Sequence, residues 1–267
     1  ATTVDGGFTA SITLNCSGYD YPEKDNMIHG FVESTGNGFL PRGPVMVDPS
    51  DGSAYQSTLG LNYLAYAQEF CNRDGFVYGY TENTFFKATT GGIIVRSLPS
   101  ASPAYDMAFD RTSGIMYALA NDANGVRGLY TVNLETGERT LVGNPEDGQT
   151  LCTLAINGSG MAYAFEIITG ALYRVNLSNG QLVLFRDTGC EINLIASAAF
   201  DPNDDTTMYF AAFGEEIMSG IFKVRIKTDG STSFSVVLRQ SYVHIGIQGL
   251  YFITEQNNNG NTTAPIT

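Results

Sequence analysis

Apolar and polar positions alternate with a period of two over short runs of this chain of 267 residues, and the runs recur. Five segments share one small-plus-apolar pattern: YLAYAQ (63–68), DMAFDR (106–111), TLAING (153–158), AAFDPN (198–203, preceded by Ser197) and QGLYFI (248–253). Their aligned small residues are Ala65, Ala108, Ala155, Ala199 and Gly249. After four of them a run containing a tyrosine follows at a near-constant distance: FVYGY at Tyr78, IMYAL at Tyr117, MAYAF at Tyr163 and TMYFA at Tyr209. Third runs with their turns read GLYTVNLETG (128–137), ALYRVNLSNG (171–180) and IFKVRIKTDG (221–230), and more loosely TFFKATTGG (84–92) and VMVDPSDG (45–52). Fourth runs read ERTLVG (138–143), GQLVLF (180–185), FSVVLR (234–239) and GIIVRS (92–97). Period-two alternation marks strands, and Gly after Asn or Asp marks reversals that need positive φ. Four strands per unit, repeated every roughly 40–50 residues, is the pattern of a β-propeller.

Units starting near Leu61, Tyr105, Leu151 and Ile195 are complete, and the fifth is split between the chain ends. Its first strand is QGLYFI, and the others are NMIHGFV (26–32), the segment around 45–48 and the segment around Tyr55, with His29 in the tyrosine slot. The fold expected is all-β: a five-bladed propeller of four-stranded antiparallel blades over residues 21–256. It closes by pairing N- and C-terminal strands in one blade, which leaves no free edge at the seam. Innermost strands converge on the axis, which explains the aligned small residues. Residues 1–20 fit no blade, and FTASITL (8–14) suits an extra outer strand. Residues 257–267 read as a polar linker or tail.

Composition narrows the functional classes. The balance of 27 acidic against 14 basic residues gives a formal charge of −13, which argues against nucleic acid and anionic membranes as partners. No apolar run is long enough to span a membrane. The opening ATTVDGG, without Met or a charged-plus-apolar leader, fits a mature or trimmed chain whose leader has been removed. Low lysine with abundant Thr, Asn, Gly and Tyr accords with secretion.

The four cysteines, Cys16, Cys71, Cys152 and Cys190, lack C-x-x-C spacing, so zinc is not expected. Cys152 opens a first strand and Cys190 lies in the loop before the next one. A Cys152–Cys190 disulfide suits that placement, and Cys16–Cys71 would then tie the N-terminal segment to the second unit; four free buried thiols is the alternative. Asn15, Asn157, Asn176 and Asn261 head N-x-S/T sequons at a density near chance.

A propeller presents ligands to the face formed by the loops between second and third strands and by the inter-blade connections. Here those are 33–43, 81–83, 121–127, 166–170 and 213–220, with connections 57–60, 99–105, 144–149, 187–193 and 239–246. The binding candidates they hold are Tyr105, Asp122, Asn124, Arg127, Glu166, Tyr242 and His244. A glycosidase needs two carboxylates about a central pocket, and Glu166 with Glu215 or Asp122 would supply them. Acidic residues are scattered over all the loops, however, so binding without catalysis is the first expectation. His29 and His244 come near each other at the seam, where a packed tyrosine substitute and a loop residue explain them more simply than a proton-transfer pair. NDANG (121–125) and DPNDD (201–205) offer oxygens for calcium but lack EF-hand spacing, so turn duty accounts for them and no cofactor is expected. The recurring tyrosines read as packing between blades. A lectin-like stacking ring is weakened by the absence of tryptophan.

The runs YDMAFDRTSGIMYALAND and GLYTVNLETGERTLVG resemble the repeats of YVTN-type and quinoprotein-like propellers of uncharacterised bacterial cell-surface proteins. The match is close over 105–143, fair over 151–185, weaker where an inserted Asp229 lengthens a turn, and weakest before Tyr55; it covers about two-thirds of the chain. Its motifs specify strands and turns, and no catalytic residue travels with them. The resemblance implies secretion or surface display and a binding role, and it implies no substrate. The first expectation is a monomeric module that binds carbohydrate or another surface protein on its loop face. The second expectation is a secreted carbohydrate-active hydrolase or lyase, and the third a structural spacer. Ala155→Leu should overpack the axis and lower stability by about 1–3 kcal/mol, read as a drop in thermal midpoint.

Overall fold

The computed structural model describes residues 2–5, 8–11, 26–35, 42–56, 64–121, 124–145, 149–188, 196–212, 220–227, 230–239 and 245–254. Within them the alternating runs form five sheets of four antiparallel strands. Blade 1 is Ala67–Cys71, Phe76–Tyr80, Thr84–Ala88 and Ile94–Pro99. Blade 2 is Ala104–Asp110, Ile115–Asn121, Arg127–Val132 and Arg139–Gly143. Blade 3 is Ala155–Ile156, Ala162–Phe165, Leu172–Val175 and Leu182–Arg186. Blade 4 is Ser197–Phe200, Thr207–Ala212, Gly220–Ile226 and Thr232–Arg239. Blade 5 joins Ile245–Phe252 to Ile28–Thr35, then Gly43–Val47 and Ala54–Gln56. The expected architecture and its closure are therefore present. Near the N-terminus, Phe8–Ser11 pairs with Thr2–Asp5 in a separate two-stranded sheet instead of extending a blade.

Burial follows strand order. Second strands are almost wholly buried, whereas fourth strands carry exposed apolar groups such as Val95, Val183 and Val236. Each sheet is sandwiched by its neighbours near the axis and splays apart at the rim. The recurring tyrosines sit in the interfaces: Tyr163 lies 5.6 Å from Phe200 of the next blade, and Tyr209 lies 5.6 Å from Phe252. His29 fills the equivalent slot, stacked on Tyr251 at 5.0 Å, and burial lowers its pKa to about 4, so it is neutral. Turn glycines behave as the sequence suggests. Gly137 takes φ 74°, and a Cβ there would meet the Phe85 ring of blade 1 at 2.6 Å.

The axial register differs from the sequence alignment at two blades. Residues paired with the slot residues are Glu69, Ala108, Ala155, Ala199 and Tyr251. Ala65 instead precedes the first strand of blade 1, and Gly249 lies in a bulge at φ 58°. Matching by small side chains misplaced both, because a glutamate and a tyrosine stand at the positions that alanine holds in the other three blades.

Above that ring the blades are tied together by hydrogen bonds to a buried carboxylate. Asp106 of blade 2 accepts from Leu154 N of blade 3 at 2.7 Å, and from Ser197 Oγ and Ala198 N of blade 4 at 2.8 and 3.1 Å. Ser197 Oγ accepts from Leu250 N of blade 5 at 2.7 Å, and Gln68 Nε2 of blade 1 donates to Gly249 O at 3.2 Å. All five blades thus enter one network. Burial raises the Asp106 pKa to about 8 against the pull of these donors, so the acid is neutral at neutral pH. A raised folded pKa stabilises fully below the unfolded value of about 4, and that contribution is lost as pH rises from there through about 8. Thermal midpoint should therefore fall between acid and alkaline pH. Asp106→Asn should remove part of that fall, because an amide oxygen serves Leu154 and Ala198 while its NH₂ donates to Ser197 Oγ. Asp106→Ala orphans two buried N–H groups and should cost about 3 kcal/mol or more. An unchanged pH slope in Asp106→Asn would refute the neutral acid.

Candidate functional site

Two ends of the axis are chemically distinct. First strands start at the loop end, where the inter-blade connections arrive, and finish at the hairpin end.

At the loop end the structure brings together two of the residues singled out from sequence, Tyr105 and Arg127. Tyr105 is the second residue of the first strand of blade 2 and Arg127 opens its third. The guanidinium carbon of Arg127 lies 3.4 Å from the centroid of the Tyr105 ring. Asn121, at the end of the second strand, donates through Nδ2 to the Tyr105 hydroxyl at 2.9 Å and accepts from Arg127 Nε at 3.3 Å. Arg127 also donates to Leu151 O of blade 3 at 2.7 Å, and Leu151 forms a β-bridge with Glu166. Sequence reasoning missed Asn121, whose signal was its place one strand-end away from Arg127. Asn124 is exposed in the same loop.

Glu166 is 3% exposed and serves its own turn: Oε2 accepts from Ile168 N at 3.0 Å, and from Thr169 N and Thr169 Oγ1 at 2.7 Å each. Burial alone would raise its pKa, but these bonds outweigh it and hold the carboxyl below the ordinary range. A carboxylate so held is a poor proton donor at neutral pH. Asp122, Glu215, Tyr242 and His244 lie outside the described residues, as do Cys16 and Cys190. Cys71 and Cys152 are buried free thiols, and Cys152 Sγ donates to Phe165 O at 3.4 Å. In the segment 201–205, Asp201 Oδ1 accepts from Asn203 N and Asp204 Oδ1 from Thr206 N, both at 3.0 Å, so these carboxylates shape the turn. Among the described residues no group of three His, Cys, Asp or Glu side chains is placed to hold a metal, and no helix is long and apolar enough to cross a membrane.

The hairpin end holds a feature that the sequence reading passed over. One residue beyond each slot-paired position stand Phe70, Phe109, Ile156, Phe200 and Phe252, one from each blade, and they collar a cavity of about 40 Å³. Glu69, Asn72 and Arg111 also line it. That volume holds about three waters, too little for a sugar ring.

No known family model matches this chain, and no curated protein matches it by sequence. Solved structures do. The nidogen/laminin complex contains a chain similar at TM-score 0.51 and 10% identity, covering 86% of this chain and 99% of that one. An auxiliary nutrient binding protein from Bacteroides ovatus is similar at 0.48 and 15%, covering 81% and 50%. Virginiamycin B lyase from Staphylococcus aureus is similar at 0.46 and 12%, covering 74% and 64%. The chain thus spans half to under two-thirds of the latter two. Likeness at such identity concerns the fold alone, which is that of a β-propeller.

Glu166→Ala should leave the Thr169 turn donors without their acceptor and lower stability by about 1–3 kcal/mol in urea unfolding.

Proposed function

We propose that this protein is an extracellular, monomeric binding module that holds a glycan on its loop end, around Tyr105, Asn121 and Arg127. One observation carries the reading: these side chains are locked to one another and to Leu151 of the next blade, so polar and aromatic groups are preorganised across a blade interface. Such a surface binds without the entropic cost of ordering long side chains. Support for the extracellular setting comes from the repeat resemblance to cell-surface propellers and from the acidic, lysine-poor composition. The turn-bound state of Glu166 weighs against its use as the acid of a hydrolase.

A glycan array run on purified protein, with parallel assay of reducing ends released over time, tests this. Binding without cleavage is expected, and Arg127→Ala should weaken it at least about tenfold. Release of reducing ends would replace the module with a hydrolase or lyase. Silence on the array would remove the glycan as ligand.

A further inference from the structure

The cavity at the hairpin end contains polar groups that the fold itself does not use. Asn72 is 5% exposed, lines the cavity, and makes no side-chain hydrogen bond among the described residues. Its carboxamide is open to the cavity, where it can serve a bound group. Arg111 lines the same cavity and forms no ion pair among the described residues. Glu69 Oε1 accepts from Phe70 N at 2.8 Å, which leaves its second oxygen for the proton. Burial of that carboxyl pushes its pKa well above the ordinary range, against the backbone N–H groups of Phe70 and Phe109 and the charge of Arg111, so Glu69 enters as a neutral acid. Three donors of different kinds therefore meet inside an apolar collar: a guanidinium, an amide NH₂ and an acid hydroxyl.

We propose that this axial pocket binds a carboxylate group, with Arg111 supplying the opposite charge, Asn72 Nδ2 and the Glu69 hydroxyl donating to its oxygens, and the phenylalanine collar packing against its carbon skeleton. Room for about three water-sized groups admits a carboxylate with one or two attached carbons. That head belongs equally to a free small acid and to an acidic sugar whose ring stays outside. Formal charge of −13 over the whole chain would repel such a ligand, so the site depends on the local cation at Arg111. The pocket lies at the opposite end of the axis from the Tyr105 cluster and stands independently of it.

Calorimetric titration of the folded chain with acetate, pyruvate, galacturonate and methylammonium tests the proposal. Saturable binding of carboxylates and none of methylammonium is expected. Arg111→Gln should weaken carboxylate binding at least about tenfold, since the charge-assisted bonds are lost. Glu69→Gln should stay within about threefold of wild type, because the amide donates where the acid did. Circular dichroism confirms folding of both variants, which alter half-buried side chains. Equal affinity for acetate and galacturonate assigns recognition to the carboxylate head; tighter galacturonate binding adds contacts of the ring at the rim. Absence of saturable carboxylate binding, preference for methylammonium, or an unaffected Arg111→Gln would each overturn it.

Discussion

Five sheets that meet at one axis need something directional to hold them there, and Asp106 provides it. Apolar packing between blades is strong but tolerates sliding, since Phe, Tyr and Leu contacts have no fixed register. Hydrogen bonds from Leu154, Ser197 and Ala198 to one buried carboxyl do have one. They set the heights of blades 2, 3 and 4 relative to one another, and Ser197 passes that constraint to Leu250 of blade 5. Gln68 then ties blade 1 to the closing strand. The asymmetry is instructive: repeated units share strands and turns, whereas the axis is a single, unrepeated arrangement. Burying an ionised group at such a position would be costly, so the fold holds it as a neutral acid.

This constraint also separates the two ends of the molecule. Above Asp106, loops converge with Tyr105, Asn121 and Arg127 bonded into one surface. Below it, three alanines and two large side chains make an uneven ring, and the next residues form the apolar collar. Ala155 and Ala199 line the cavity with short side chains, while Glu69 reaches it from blade 1. Both ends therefore derive their shape from how far the first strands are allowed to approach.

Legibility of the chain varied with the range of the interaction. Strand alternation and glycine turns act within about ten residues, and both were readable: Gly137 has the positive φ its place after Glu135 and Thr136 requires. Repetition turned those local signals into a blade count, because each unit must bury the same faces against its neighbours. His29 in the tyrosine slot was readable for the same reason, and its pairing with Tyr251 follows. Tyr105 and Arg127 were picked as loop-face residues, but that they stack on each other was not visible. Glu166 looked like chemistry and is a turn acceptor, since the donors that claim it come from Ile168 and Thr169 in the same loop.

What the sequence determined alone is the periodic part: four strands per unit, five units, and a seam joining the two ends of the chain, because period-two alternation and turn chemistry repeat in the covalent order itself. What only the tertiary structure decided is the axis. Asp106 and Ser197 are 91 positions apart, and Gln68 and Gly249 are 181 apart. Glu69, Asn72 and Arg111 likewise meet across two blades around one cavity. Such contacts have no signature in local pattern, since they arise only when separate sheets close into a ring and their innermost strands are forced to share the same small space.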